Sequence, residues 1–99
     1  IMLFSTKVVS ASGNLMLNIC DLELVDKTLH DGDTKIKINP NYYAERNVDE
    51  HEAKTLLTQC NSINMVGEKT VSLAIGLGIG SEKSIRRIEG VPFLIVFKM

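Results

Sequence analysis

The sequence predicts an α+β fold: one domain over residues 1–99, with helices packed on one face of a mostly antiparallel sheet. Three observations carry this expectation. Strand-forming runs stand in pairs at both ends of the chain, within residues 2–20 and 85–97. Amphipathic helical stripes occupy the middle, from residue 49 to residue 75. Short turns separate the elements, with no linker, repeat or low-complexity tract. Strands and helices segregated in this way place the helices on one side of an antiparallel sheet. The expected order is ββ, short α, β, α, α, ββ.

Each element has a local reason. Met2 to Val9 is rich in Val, Leu, Phe and Thr, which favour strands. Ala11-Ser12-Gly13-Asn14 is turn chemistry, in which Gly and Asn tolerate positive φ, and Leu15 to Cys20 is the returning strand. Asp21 is placed to cap a short helical turn carrying Leu22, Leu24 and Val25. His30 to Asp33 reads as a loop, and Thr34 to Ile38 alternates polar and apolar as a half-buried strand. Asn39-Pro40-Asn41 ends it, since proline cannot donate to a ladder.

The helical region begins at Asp49, with Glu52 three residues later in a capping-box spacing. Ala53, Leu56, Leu57 and Cys60 follow at i, i+3, i+4 and i+7, one stripe of a helix. Ile63, Val66, Gly67, Thr70, Val71, Ala74 and Ile75 also share one helical face, which predicts a second helix after a polar break at residues 61–64. Gly76, Gly78 and Gly80 supply left-handed positions that end it. Ile85 to Ile88 and Phe93 to Phe97 form the last strand pair, turning at Glu89 to Pro92.

Composition bounds the function. A hydrophobic fraction of 44% and a charged fraction of 23% are those of a globular chain, not of a disordered or coiled-coil one. The net charge of -1 argues against wrapping by nucleic acid through bulk charge. Absence of Trp and an aromatic fraction of 5% argue against a multi-base stacking platform. Residues 1–9 lack the pattern of a secretory signal, and no apolar run reaches the roughly 18 residues that span a bilayer. A cytoplasmic location away from membranes is therefore expected. Cys20 and Cys60 stand far apart without a CxxC, as buried apolar thiols would. Whether they pair is left open.

No catalytic constellation emerges. Gly76, Gly78 and Gly80 follow a helix, whereas phosphate-binding glycines precede one. His30 and His51 are isolated, and nothing local activates Cys20 or Cys60 as a nucleophile beside either. Glu50 and Glu52 point to different sides of a helix. No metal and no cofactor are expected.

Charge distribution is more informative than net charge. Residues 1–53 sum to -4 and residues 54–99 to +3. The bases of the second half concentrate in Lys69, Lys83, Arg86, Arg87 and Lys98. Arginine grips phosphate bidentately, so these residues are candidates for an RNA- or partner-docking patch, although Arg86 and Arg87 must face opposite sides of a strand. Of Tyr42 and Tyr43, one is expected to plug the core and the other to stand exposed as an anchor. Asn61, Ser62 and Asn64 either cap helix ends or present a hydrogen-bonding surface near Lys69.

Four segments resemble a known family. Asn18-Ile19-Cys20-Asp21-Leu22-Glu23-Leu24-Val25-Asp26-Lys27-Thr28 is similar to the V-C-D-x-E-L-L-G-K-T stretch of domain-of-unknown-function family 424, a small archaeal family. Asn39 to Tyr43 resembles its loop ending in an aromatic pair. Asn64 to Lys69 resembles its N-x-V-G-E-[KR] helix start, and Arg87 to Pro92 its R-I-x-G-V-P turn. Asp26 replaces a common Gly, Ala44-Glu45 a frequent Gly-Gly, and Phe93 a frequent His. The resemblance implies an archaeal cytosolic α+β domain; it carries an association with translation and does not imply an activity.

The resulting expectation is a non-enzymatic docking module on the ribosome or another translation particle, touching ribosomal RNA or a ribosomal protein. Lys69, Lys83, Arg86 and Arg87 would contact backbone phosphates, with Tyr42, Asn61 and Asn64 as secondary contacts. The alternative is a protein-only interaction module or homodimer, using an exposed tyrosine and a strand edge. A small-molecule enzyme using Cys20 or Cys60 ranks third.

Overall fold

Strand pairing organises the molecule into two halves joined along one seam. The computed structural model describes residues 1–99. Its strands are β1 (Phe4–Ala11), β2 (Asn14–Asp21), β3 (Thr28–Asp31), β4 (Thr34–Lys37), β5 (Arg46–Val48), β6 (Ser62–Val66), β7 (Arg86–Ile88) and β8 (Val91–Phe97). Its helices are α1 (Pro40–Tyr43), α2 (Glu50–Gln59) and α3 (Glu68–Gly76). Six strands form one sheet in the order β5-β1-β2-β6-β8-β7, and β3 and β4 form a separate hairpin. Only β2 and β6 run parallel; every other pair is antiparallel. The α+β class with a mainly antiparallel sheet is therefore observed.

The seam is the strand the sequence hid. Residues 61–64 read as a polar break between two helices, with Ile63 and Val66 opening the second stripe, but residues 62–66 form β6 at the centre of the sheet. Ile63 and Met65 alternate with Ser62 and Asn64, so the run has a strand's period of two. The helix proper starts only after Gly67.

Strand alternation sorts the sheet into two faces. Leu17 and Ile19 of β2, Ile63 and Met65 of β6 and Leu94 of β8 lie on one face, all buried. Ala53 and Leu57 of α2 and Val71 and Ala74 of α3 close over them to make the main core. On the opposite face Cys20, Val66 and Ile88 meet Leu29 of β3 and Ile38 beside β4, forming a second cluster that the half-buried Tyr43 of α1 joins. Helices thus cover one face as expected, and the hairpin with α1 covers half of the other.

Local chemistry explains the ends of these elements. The β1–β2 turn places Ser12 and Gly13 at positive φ, as a two-residue hairpin turn requires, so Ser12 rather than Asn14 takes the left-handed position beside the glycine. The Asp49 carboxylate accepts from the Glu52 amide at 2.9 Å and starts α2 as its spacing predicted. Lys98 closes the same helix, its Nζ donating to the carbonyls of Leu57 at 2.6 Å and Thr58 at 2.9 Å. An ammonium there satisfies free carbonyls and offsets the negative helix end. Asn39 caps α1 through its Oδ1 and the Asn41 amide, which turns the proline segment into a short helix rather than a plain loop. His30 and Asp31, read as loop, belong to β3, and Arg46–Val48 is a short edge strand carried by its pairing with β1.

Candidate interaction surface

Two of the resembling segments meet at one buried carboxylate. Asp21 ends β2 and is 3% exposed. It does not cap the 3-10 turn at Leu22–Leu24 beside it. Its Oδ1 accepts from the Thr70 amide and the Thr70 hydroxyl, both at 2.8 Å, and its Oδ2 accepts from the Lys69 amide at 3.0 Å. The carboxylate therefore caps α3 from the end of the adjacent parallel strand, where the positive end of the helix favours an anion. Gly67 lies against it with φ +109° and ψ 156°. A Cβ at Gly67 would stand 2.4 Å from Asp21 Cγ. The passage from strand through glycine to helix is the kind that receives phosphate in other proteins, but here an internal carboxylate fills it.

The cations of the second half disperse around this frame. Lys69 Nζ donates to Glu23 at 2.8 Å, beside the Asp21 cap. That contact holds the Glu23 carboxyl below its ordinary range and pushes the Lys69 ammonium up. Arg87 reaches Glu68 at 3.1 Å and the Gly90 carbonyl at 3.2 Å. Arg86, on the other face of β7, pairs with Asp31 of the hairpin. Glu89, next to the arginines in the turn after β7, accepts from the His30 backbone amide, with the His30 Nδ1 3.6 Å from the same carboxylate. Lys83 is exposed in the turn Glu82–Ser84. Three of the four candidate phosphate contacts thus have carboxylate partners, and they stand on different faces of the sheet.

Three other candidates converge. The half of the sheet left open by the hairpin and α1 exposes Val9 and Met16 on β1 and β2 and Ile95 and Phe97 on β8, with Ser62 and Asn64 of β6 between the two pairs. Phe97 is 74% exposed, Ile95 59% and Met16 40%. In the middle Asn64 Nδ2 donates to Asn18 Oδ1 at 2.8 Å, and Asn18 Nδ2 donates to the Tyr42 carbonyl at 3.1 Å. This chain fixes α1 at the rim, with Tyr42 62% exposed there. Asn61 binds Leu15 through its side chain and backbone, each at 2.9 Å, and lines a hollow of about 340 Å³ with Met16 and Phe97. A second hollow of about 310 Å³ lies beside Ile95, between Phe93, Ile36 and Arg86. Neither Asn61 nor Asn64 hydrogen-bonds Lys69. Val9, Met16, Ile95 and Phe97, which complete this surface, escaped the sequence reading because they sit in continuously apolar runs, which signal a strand buried on both faces.

The family model described as protein of unknown function (DUF424) matches residues 9–99. The chain belongs to the DUF424 family. No curated protein matches the sequence. Among solved structures, an uncharacterized conserved protein from Methanopyrus kandleri superposes with a TM-score of 0.79 at 19% identity. The match covers 97% of this chain and 93% of that one, so the two share a fold. In this DUF424 chain the two motifs around Asp21 and Gly67 build a structural latch, and they leave the open half-face free for other work.

Other chemistry is sparse. The largest hollow, about 760 Å³, lies between α3 and the turn before β7, with the Arg87–Glu68 pair and Glu82 on its wall. No cluster of His, Cys, Asp or Glu gathers where a metal could be held. No helix is long and apolar enough to cross a membrane. Cys20 and Cys60 are free and buried. Burial, with the charges of Asp21 and Glu23, pushes the Cys20 thiol from 9.0 up to about 12, the wrong direction for a nucleophile. Burial likewise raises Cys60, and raises Tyr43 from 10.0 to about 12.

These shifts fix an alkaline limit. A group whose pKa is higher folded than unfolded supports the fold fully below its unfolded value and loses that support as pH rises toward the folded one. Thermal unfolding of this protein is expected to be insensitive to these groups at neutral pH and to fall in temperature from about pH 9 toward pH 12. Cys20→Ala should shallow that decline. An unchanged slope in Cys20→Ala would show that Cys20 is not responsible.

Proposed function

We propose that this protein is a non-enzymatic docking module of the cytoplasm that seats on a protein component of a translation particle. The observation that carries the reading is the open half-face: an unpaired apolar sheet surface centred on Met16 and Phe97, crossed by the Asn18–Asn64 bond and rimmed by Tyr42. Exposed apolar and aromatic side chains interleaved with a few hydrogen-bonding ones suit a protein partner, since interfaces are anchored by aromatic residues and methionine and carry polar contacts among them. The free, buried cysteines accord with a reducing compartment. The translational setting comes from the family resemblance. Contact through RNA phosphates is the weaker form of the idea, because Lys69, Arg86 and Arg87 spend their charge on Glu23, Asp31 and Glu68.

Sucrose-gradient sedimentation of native lysate tests this. The protein is expected in the heavy fractions, and it should stay there when salt is raised. Met16→Glu, which puts a charge in the centre of the face without touching the core, should weaken association at least tenfold, about 1.4 kcal/mol or more. A double Arg86→Gln, Arg87→Gln variant should sediment like the wild type. Protein found only in light fractions would refute the translational setting. Steep loss with salt and with the arginine variant would transfer the contact to RNA.

A further inference from the structure

Two stretches of the sheet lack an outer neighbour: β1 beyond Thr6 and β8 beyond Phe93. β8 runs from Val91 to Phe97, but β7 pairs with it only over Val91, Pro92 and Phe93. Beyond residue 93 no strand pairs with β8 on the side away from β6, although Ser84 of the turn before β7 borders Ile95. Hydrogen-bonding direction alternates along an antiparallel strand. The Gly67 amide donates to the Pro92 carbonyl and the Lys98 amide to the Asn61 carbonyl, so even-numbered residues of β8 face β6. Ile95 and Phe97 consequently aim their N–H and C=O groups outward, where no strand receives them.

Soluble proteins protect such edges with charges, prolines or bulges. This one carries no charge from Val91 to Phe97, and its outermost side chains are the exposed Ile95 and Phe97. The opposite edge of the sheet is different: the stretch of β1 that β5 leaves uncovered, Lys7–Ala11, starts with a lysine and includes the polar Ser10. β5 is three residues long and carries Arg46, paired with Glu52. A β5–β8 contact between copies would also run head to tail and generate an open filament.

We infer that β8 binds β8 of a second copy, antiparallel about a two-fold axis at Phe97. This register uses only the free stretch. Phe97 faces its own counterpart, Ile95 faces Met99 of the other copy, and neither overlaps the residues held by β7. Each outward N–H then meets an outward C=O, and the two Phe97 rings form a cross-strand aromatic pair. The arrangement brings no free like charges into contact, because the nearby cations are engaged within their own chain, Lys98 with the Leu57 and Thr58 carbonyls and Arg86 with Asp31. Two six-stranded sheets become one continuous sheet, and their open half-faces become one surface. The inference stands on the strand edge and holds whatever docks on that surface.

Light scattering during gel filtration of the pure protein is the test. The expected mass is twice the 11.0 kDa chain mass, falling to the single-chain value in Phe97→Lys with an unchanged circular dichroism spectrum. Directly opposed residues in a hydrogen-bonded pair stand about 5.5 Å apart, within disulfide range. Phe97→Cys should therefore oxidise to a covalent dimer, whereas Met16→Cys should not. A single-chain mass for the wild type at high micromolar concentration would overturn the inference. So would a dimer that survives Phe97→Lys, or one in which Met16→Cys cross-links as readily as Phe97→Cys. Met16→Glu should leave the dimer intact while releasing the protein from heavy fractions, so the edge and the docking face fail separately.

Discussion

Gly67→Ala is expected to cost about 4 kcal/mol, a large share of the 5–15 kcal/mol that holds a domain together. Two effects combine. The backbone at φ +109° and ψ 156° lies in a region that only glycine enters freely, worth about 1–3 kcal/mol to any other residue. The added Cβ also meets Asp21 Cγ at 2.4 Å, and Asp21 cannot retreat because it is buried and holds three hydrogen bonds. Overpacking of this kind costs about 1–3 kcal/mol more. Asp21→Ala should cost about 3 kcal/mol by the opposite route, leaving the Lys69 and Thr70 amides and the Thr70 hydroxyl without their acceptor. The double variant removes the clash along with the carboxylate. Its cost should therefore fall at least 1 kcal/mol short of the sum of the singles, the signature of contacting residues. Urea unfolding of the four proteins measures this cycle, and additive costs would mean that the latch does not exist as described.

Met65→Ala should be nearly as damaging, at about 2–5 kcal/mol, the range for truncating a fully buried large side chain. This residue separates the two accounts of the 61–75 region. In the helical stripe that begins at Ile63, Met65 is off the apolar face, and its truncation would be nearly neutral. In β6 it lies beside Ile63 on the core face, next to Ile19 and Leu94 across the ladder. Ser62→Ala, on the other face, is the matched control and should cost less than about 1 kcal/mol. Equal costs at the two positions would contradict the strand.

The contrast shows what the residues could disclose on their own. The β1–β2 hairpin, the Asp49 cap, the glycine end of α3 and the final strand pair depend on neighbours within a few positions, and each was legible. β6 was not, because five residues offer only two buried positions on the core face before Gly67, and the α3 stripe extends backward through them by coincidence. β3 and β5 are short and largely polar. They are strands because β4 and β1 supply their partners, a non-local fact. Asp21 illustrates the same limit at the site. Its nearest plausible role was the turn that follows it, while its actual partner Thr70 lies 49 positions along the chain.

The docking residues divide in the same way. Tyr42 and Tyr43 separate into an exposed and a half-buried ring, as their adjacency and chemistry suggested. The basic cluster was an artefact of proximity in sequence. Arg86 and Arg87 do face opposite sides, but the acids that neutralise them, Asp31 and Glu68, are brought there by the hairpin and by α3. The open half-face could not be found from the apolar runs alone, since a strand left open on one face reads like one buried on both. It exists because the β3–β4 hairpin and α1 are too short to cover the whole sheet.

Hydroxyl-radical footprinting of the protein in heavy gradient fractions, against the pure protein, tests the docking surface most directly. Methionine and aromatic side chains report on it, and Met16 and Tyr42 should be protected only in the particle. Phe97 should already be shielded in the pure protein by its two-fold partner, while Leu77, exposed at the far end of α3, keeps its reactivity throughout. Unchanged reactivity at Met16 and Tyr42 in the particle, with new protection around Lys83 and Arg86, would contradict the account.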